Sequence, residues 1–220
     1  MNSGEATTTA ATVVVIDDDA SLRDSLTDLF QSIGLQTRAF ASVADYLGSK
    51  PVEGASCLVL DVRLPGVSGL DFQAEMTESG VDAQIVFMTG HGDIPMTVRA
   101  MKGGAVDFLA KPFREQDMLD AVSLAIERDR TRRQYNQESS QLRAAFDALS
   151  QREQQVLILI TSGLMNKQIA AEIGLSEATV KFHRGNIMRK MNANSLADLV
   201  GIADSLGVRG AAGKRSYPKG

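Results

Sequence analysis

TVVVIDDDAS, residues 12–21, is an unbroken apolar run that stops on three consecutive aspartates. Five residues dominated by Val and Ile have the composition of a strand buried on both faces, as in a parallel sheet. The same pattern returns three times: CLVL (57–60) leads into Asp61, IVFM (85–88) into Thr89, and VDFLA (106–110) into Lys111-Pro112. QTRAF (36–40) is a fifth, more polar strand candidate. Strands running in one direction deliver their carboxyl ends to one edge, where open α/β sheets hold ligands. That edge would carry Asp17, Asp18, Asp61, Thr89 and Lys111.

Helical patterns fill the intervals. Leu22, Leu26, Leu29, Phe30 and Ile33 recur at helical spacing, Asp19 reads as the cap that opens that helix, and Gly34 as its stop. Further helices are expected over 43–47, 70–78 (opened by the loop PGVSG), 94–102 and 115–128. Five βα units predict an α/β fold with a doubly wound, five-stranded parallel sheet and right-handed crossovers.

The chemistry follows from the edge. A carboxylate attacks a phosphoryl group poorly unless charge on the transferring oxygens is neutralised. Asp17 and Asp18 are expected to hold Mg²⁺, with waters and a backbone carbonyl completing the oxygen shell. Asp61 is expected to touch the metal and be the attacked residue. Lys111 adds a second positive charge, and the Thr89 hydroxyl can hydrogen-bond the arriving phosphoryl oxygen. Three clustered carboxylates repel, so in the absence of a cation at least one should have a raised pKa. Singly, each residue has a plainer explanation as a cap, a turn or a solvated charge. All of them at successive strand ends, in one register, argue for one site.

VVVIDDDAS, LVLDVRLPGVSGL, IVFMTGHGD and GAVDFLAKPF together resemble the receiver domain of two-component response regulators, over residues 12–126. The resemblance implies a flavodoxin-like fold, Mg²⁺ at Asp17, Asp18, Asp61 and the Arg63 backbone carbonyl, and phosphorylation of Asp61 by a sensor histidine kinase. It also implies switching through Thr89, Phe108 and Lys111, and dimerisation through a face spanning roughly residues 94–126.

Charge divides the chain. Residues 1–125 hold 8 Lys/Arg against 18 Asp/Glu, a net of −10; residues 126–220 hold 15 against 9, a net of +6, for −4 overall. The basic half suits a polyanion. The single cysteine, Cys57, excludes a disulfide framework and fits a reducing cytoplasm. No run is long enough to span a membrane, so no membrane partner is expected. Residues 1–11 and 209–220 are expected to be disordered tails. Residues 127–147 begin ERDRTRRQYNQESSQ, which lacks Gly and Pro and predicts a solvated helical linker. Its Arg128, Arg130, Arg132 and Arg133 read either as a solvated face or as contacts to acidic surface or nucleic acid.

Residues 148–208 are expected to be all-helical. Ser150 and Glu153 form a capping box, followed by the apolar positions Val156, Leu157, Leu159 and Ile160. Asn166 is expected to cap a short helix, 167–173. After the turn Gly174-Leu175, Ser176 caps a longer one, 177–191. This is the helix-turn-helix pattern. A fourth helix, 195–206, places Leu196, Leu199, Val200, Ala203 and Leu206 on one side. In the longer helix Val180, Ile187 and Met191 should be core. Lys167, Ser176, Thr179, Lys181, Phe182, His183, Arg184 and Lys190 are the candidate DNA contacts. His183 fits a phosphate contact or a packing position equally. Gly185 fits close approach to a base pair or simple tolerance.

LSQREQQVLILITSGLMNKQIAAEIGLSEATVKFHRGNIMRKMNANSLADL resembles the LuxR-type helix-turn-helix domain. With the receiver it looks like a FixJ-type response regulator. That implies a transcription regulator, most often an activator, acting with RNA polymerase on double-stranded promoter DNA as a homodimer. Two other classes compete. An aspartyl-phosphate hydrolase would need an acid–base aspartate two residues after Asp61, where Arg63 stands, so a non-enzyme is expected. A phosphorylation-gated module binding protein through its basic domain would show no salt-dependent, sequence-selective binding to duplex DNA.

Overall fold

The computed structural model describes residues 10–90 and 92–209. The chain divides into two compact units, with the boundary between Arg133 and Gln134.

The first unit alternates strand and helix: β1 (Thr12–Ile16), α1 (Ala20–Ser32), β2 (Gln36–Phe40), α2 (Val43–Leu47), β3 (Ser56–Asp61), α3 (Gly69–Glu78), β4 (Ile85–Thr89), α4 (Ile94–Lys102), β5 (Asp107–Ala110) and α5 (Glu115–Asp147). All strands pair in parallel, in the order β2-β1-β3-β4-β5. Because the order reverses between β1 and β3, the ligand-binding crevice falls at their carboxyl ends.

Strand alternation divides the apolar side chains between two layers. Val13, Val15, Cys57, Val59, Val86 and Met88 face Leu26 and Phe30 of α1 and Met118, Ala121, Val122 and Ala125 of α5. Val14, Ile16, Leu58, Leu60, Ile85 and Phe87 face Val43, Leu70, Phe72, Met76 and Ala100 of α2, α3 and α4. Each fully buried Leu, Ile, Val or Phe contributes about 1.5–3 kcal/mol. The polar β2 is still a strand because it lies at the sheet edge, where half-exposed residues cost little.

Two limits move. Ala11 is buried, and its carbonyl accepts from the Gln36 amide, so the folded unit begins before residue 12. Arg209 donates to the Thr161 carbonyl and pairs with Asp204, so it belongs to the fold and not to a tail. The remaining tail expectations, 1–9 and 210–220, lie outside the described residues. Helix α5 continues from the receiver through the expected helical linker to Asp147, since nothing in 127–147 breaks it.

The second unit holds α6 (Gln151–Thr161), α7 (Asn166–Ile173), α8 (Glu177–Lys190) and α9 (Leu196–Ser205). Its core is Val156, Leu157, Ile160, Ile169, Val180, Ile187, Met191, Leu199 and Ala203. The Ser150–Glu153 capping box forms as expected. Asn166 does not cap α7: it is the first helical residue, Met165 holds the cap position, and Gln168 accepts from the Met165 amide. Leu196 does not join the buried side of α9; it is 46 % exposed. Among the described residues no helix is long and apolar enough to cross a membrane.

Candidate functional site

Backbone placement builds the site. β1 ends at Ile16, so Asp17 follows directly and is fully buried, while Asp18 turns outward. Asp19 caps α1, accepting from the Ser21 and Leu22 amides. Asp61 ends β3 and is 6 % exposed. Its carboxylate accepts the Arg63 amide at 2.8 Å, and Arg63 itself is exposed. One carboxylate oxygen from each of Asp17, Asp18 and Asp61 lies within 4.8 Å of the others. An all-oxygen, anionic donor set of this size suits a hard divalent cation such as Mg²⁺.

Lys111 joins the cluster from the end of β5. Its Nζ donates to Asp17 Oδ2 and to Asp61 Oδ2, each at 2.6 Å. Burial pushes the Asp17 carboxyl above its ordinary value, and repulsion from Asp61 adds to this; the Lys111 ammonium and the Asp19 amide only partly offset it. Burial acts to lower the Lys111 pKa, but the bonds and charges of Asp17 and Asp61 outweigh it and hold it above normal. The carboxylate with the raised pKa is thus the one deepest in the fold.

Thr89 and Phe108 flank the cluster. Thr89 is fully buried at the end of β4, and its carbonyl accepts the Lys111 amide at 2.7 Å. The Phe108 ring is half-buried and lies 6.3 Å from that of Phe87. Two glycines escaped notice in the sequence. A Cβ on Gly92 would sit 2.9 Å from Phe108 Cε1 and 3.0 Å from Thr89 Cγ2. A Cβ on Gly69 would collide with the Asp61 carbonyl oxygen. Both bring loop backbone against residues of the site. The visible signal was only a glycine in each loop after a strand, which ordinary turns share.

The second site is the α7–turn–α8 unit. Gly174 takes the left-handed conformation (φ 69°) that ends α7. Ser176 caps α8, accepting the Thr179 amide, and its hydroxyl lies 2.8 Å from that of Thr179. Lys167, Lys181 and Phe182 are exposed, Phe182 at 66 %. Arg184 donates to Asn166 Oδ1 at 3.1 Å, bracing α8 against α7. His183 Nδ1 is buried without a hydrogen-bond partner. A Cβ on Gly185 would meet nothing within 4 Å, so no packing neighbour demands a glycine there. Lys190 differs from the others: its Nζ pairs with the buried Glu153 of the capping box at 2.7 Å. That ammonium fastens α8 to the start of α6 while the residue stays exposed.

Comparison with known proteins recognises a domain in each half of the chain. The response regulator receiver domain model matches residues 13–123, and the model for bacterial regulatory proteins of the luxR family matches residues 147–203. The chain belongs to the two-component response regulators that join a receiver to a helix-turn-helix DNA-binding domain, and it regulates transcription. Within that class it is of the FixJ type. It is 57 % identical over 192 residues to nodulation protein W of Bradyrhizobium diazoefficiens, covering 87 % of this chain and 85 % of that one. The structure of response regulator StyR matches with a TM-score of 0.82 at 49 % identity, covering 89 % of this chain and 98 % of that one. Full-length FixJ from B. japonicum matches with a TM-score of 0.55 at 39 % identity, covering 91 % and 98 %.

Proposed function

We propose that Asp61 is the phosphoacceptor of a sensor histidine kinase and that its phosphorylation controls promoter binding by residues 148–208. The observation that carries this is the nearly buried Asp61, set among carboxylates and bridged to Asp17 by Lys111. In the transfer, an Asp61 oxygen forms a bond to phosphorus as the donor's P–N bond breaks, and the imidazole leaves with the electron pair. Asp17, Asp18, Asp61 and the Arg63 carbonyl would hold Mg²⁺, which would supply positive charge to the phosphoryl oxygens. Lys111 donates to the same oxygens from the opposite end of the sheet edge. Thr89 turns its hydroxyl to the new phosphoryl group, and Phe108, held beside Thr89 by Gly92, follows.

The receiver, 12–126, then pairs with a second copy through the face of α4, β5 and α5. Ile94, Val98 and Met101 support this, being 81 %, 45 % and 45 % exposed. Residues 127–147 connect it to the effector domain. There Lys167, Ser176, Thr179, Lys181, Phe182, His183 and Arg184 meet duplex DNA, with the exposed lysines on phosphates. The regulator is cytoplasmic, is not an enzyme, and acts as an activator with RNA polymerase.

The test is Asp61→Asn in the full chain, with a duplex enriched by the wild-type protein from a random-sequence pool. Wild type should take up phosphate from acetyl phosphate and gain DNA affinity; the variant should do neither, with its basal affinity unchanged. Phosphate uptake at the wild-type rate by Asp61→Asn would falsify the assignment.

A further inference from the structure

The arginine-rich stretch at the receiver's exit is organised around a buried acid. Asp129 lies on α5 just beyond the apolar contacts of Ala125 and Ile126 and is 1 % exposed. A carboxylate so thoroughly removed from water persists only if its charge and lone pairs are met. Its Oδ2 accepts the Ser56 amide at 2.9 Å and Arg133 Nε at 2.6 Å. Its Oδ1 accepts Arg132 Nη2 at 2.5 Å, and Arg132 Nε also reaches within 3.9 Å of Asp82. Burial acts to raise the Asp129 pKa, but the two guanidinium groups and the Ser56 amide prevail and hold it below the ordinary value. It is therefore an ion, joined to two arginines.

Adhesion does not require this arrangement. Met118, Ala121, Val122, Ala125 and Ile126 already seat α5 on the sheet, and apolar replacements of buried ion clusters are often no less stable. The cluster adds a fixed point. Apolar contacts let a helix slide or roll by small amounts, whereas the Ser56 amide bond pins Asp129 to the start of β3; the Arg132 and Arg133 bonds, all within α5, hold that carboxylate charged and oriented for it. Ser56 is the first residue of β3, and Asp61 is the last. Arg133 is the last residue of the receiver unit along α5. One short strand thus has the phosphoacceptor at one end and, at the other, the attachment of the helix that continues toward the effector domain.

We infer that Asp129 is a positioning residue that couples β3 to the exit of α5, so that phosphorylation at Asp61 is transmitted along that helix. The inference rests on the phosphorylation reading above. Arg132 and Arg133 accordingly serve the receiver and not nucleic acid.

The test compares DNA affinity of full-length protein with and without beryllofluoride plus Mg²⁺, on the selected duplex. Wild type should show a gain. Asp129→Asn retains an acceptor for the Ser56 amide but loses the charge that gathers the arginines. It should bind beryllofluoride and, unactivated, bind DNA as wild type does, while the activation ratio falls about fivefold or more. Amides of residues 127–137 should exchange with deuterium faster. A ratio equal to wild type overturns the coupling role. Absence of a gain in wild type itself overturns the phosphorylation reading instead. Should Asp129→Asn fail to fold, Arg133→Gln loosens the same carboxylate from within α5, through a side chain that is 42 % exposed, and an unaltered ratio there overturns the inference equally.

Discussion

Lys111 stands in two relations to the acidic cluster, and they pull in opposite directions. Its ammonium, 2.6 Å from both Asp17 Oδ2 and Asp61 Oδ2, relieves the repulsion between those buried carboxylates. It also places a positive charge beside the oxygens that a divalent cation needs. Two like unit charges 4 Å apart at an effective dielectric constant of 20 repel by about 4 kcal/mol, and about 1.4 kcal/mol is a tenfold change in affinity. Lys111→Met should therefore bind Mg²⁺ at least about tenfold tighter, and up to about a thousandfold if that repulsion is fully felt, measured by titration calorimetry. The same variant should take up phosphate from acetyl phosphate about 100-fold more slowly, because a donor to the transferring oxygens is gone. Weaker Mg²⁺ binding would show that the ammonium helps shape the metal site and does not compete with it.

At the scale of elements, Glu153 shows how one residue serves two helices. It closes the capping box of α6 through the Ser150 amide at 2.8 Å and receives Lys190 from the last turn of α8 at 2.7 Å. The hydrogen bond from Lys190 pulls its pKa below the ordinary 4.5, against the opposing effect of burial. The folded state therefore holds this proton less tightly than the unfolded chain does. The resulting stability is fully present above about pH 4.5 and is lost as pH falls through the lower folded value. Glu153→Gln should cost the second unit about 1 kcal/mol at pH 7. In chemical denaturation its stability should also fall less steeply than wild type below pH 4.5. Parallel acid profiles would place the acid-labile contact elsewhere.

Elements of this kind were unequally legible. The strands could be read because each apolar run ends on a charged or polar residue, and the capping box because its partners are three residues apart. Asp17, Asp61, Thr89 and Lys111 were found for the same reason: each sits at the end of a readable strand. What escaped depends on distance along the chain. Asp129 meets Ser56 across 73 residues, and Lys190, a candidate DNA contact by sequence, meets Glu153 across 37, so neither pairing was legible. Asn166 resembled a cap, yet its side chain accepts Arg184 from the next helix. Gly69 and Gly92 are constrained by backbone and rings that only the folded chain brings near.

The whole molecule carries its charge in two blocks, and this bears on how it meets DNA. Residues 1–133 hold 12 Lys/Arg against 20 Asp/Glu, a net of −8, and residues 134–220 hold 11 against 7, a net of +4. Each half has its own apolar core, so the effector unit should fold when produced alone from residue 134. Polyanion binding by the +4 unit draws affinity from counterion release, while the tethered −8 unit repels the same polyanion. That repulsion acts over the Debye length, about 30 Å at 0.01 M salt and 10 Å at 0.1 M. The isolated effector unit should therefore bind non-cognate duplex about tenfold tighter than the unphosphorylated full chain near 0.02 M salt. The gap should close to within about twofold by 0.3 M, where the Debye length is only about 6 Å. Fluorescence anisotropy across a salt series measures both slopes, and the full chain should give the shallower one. A gap that survives at 0.3 M would mean that the receiver covers the basic helix by contact. In that case Lys181→Ala would weaken the isolated unit yet change the full chain little, whereas screening alone predicts that it weakens both alike.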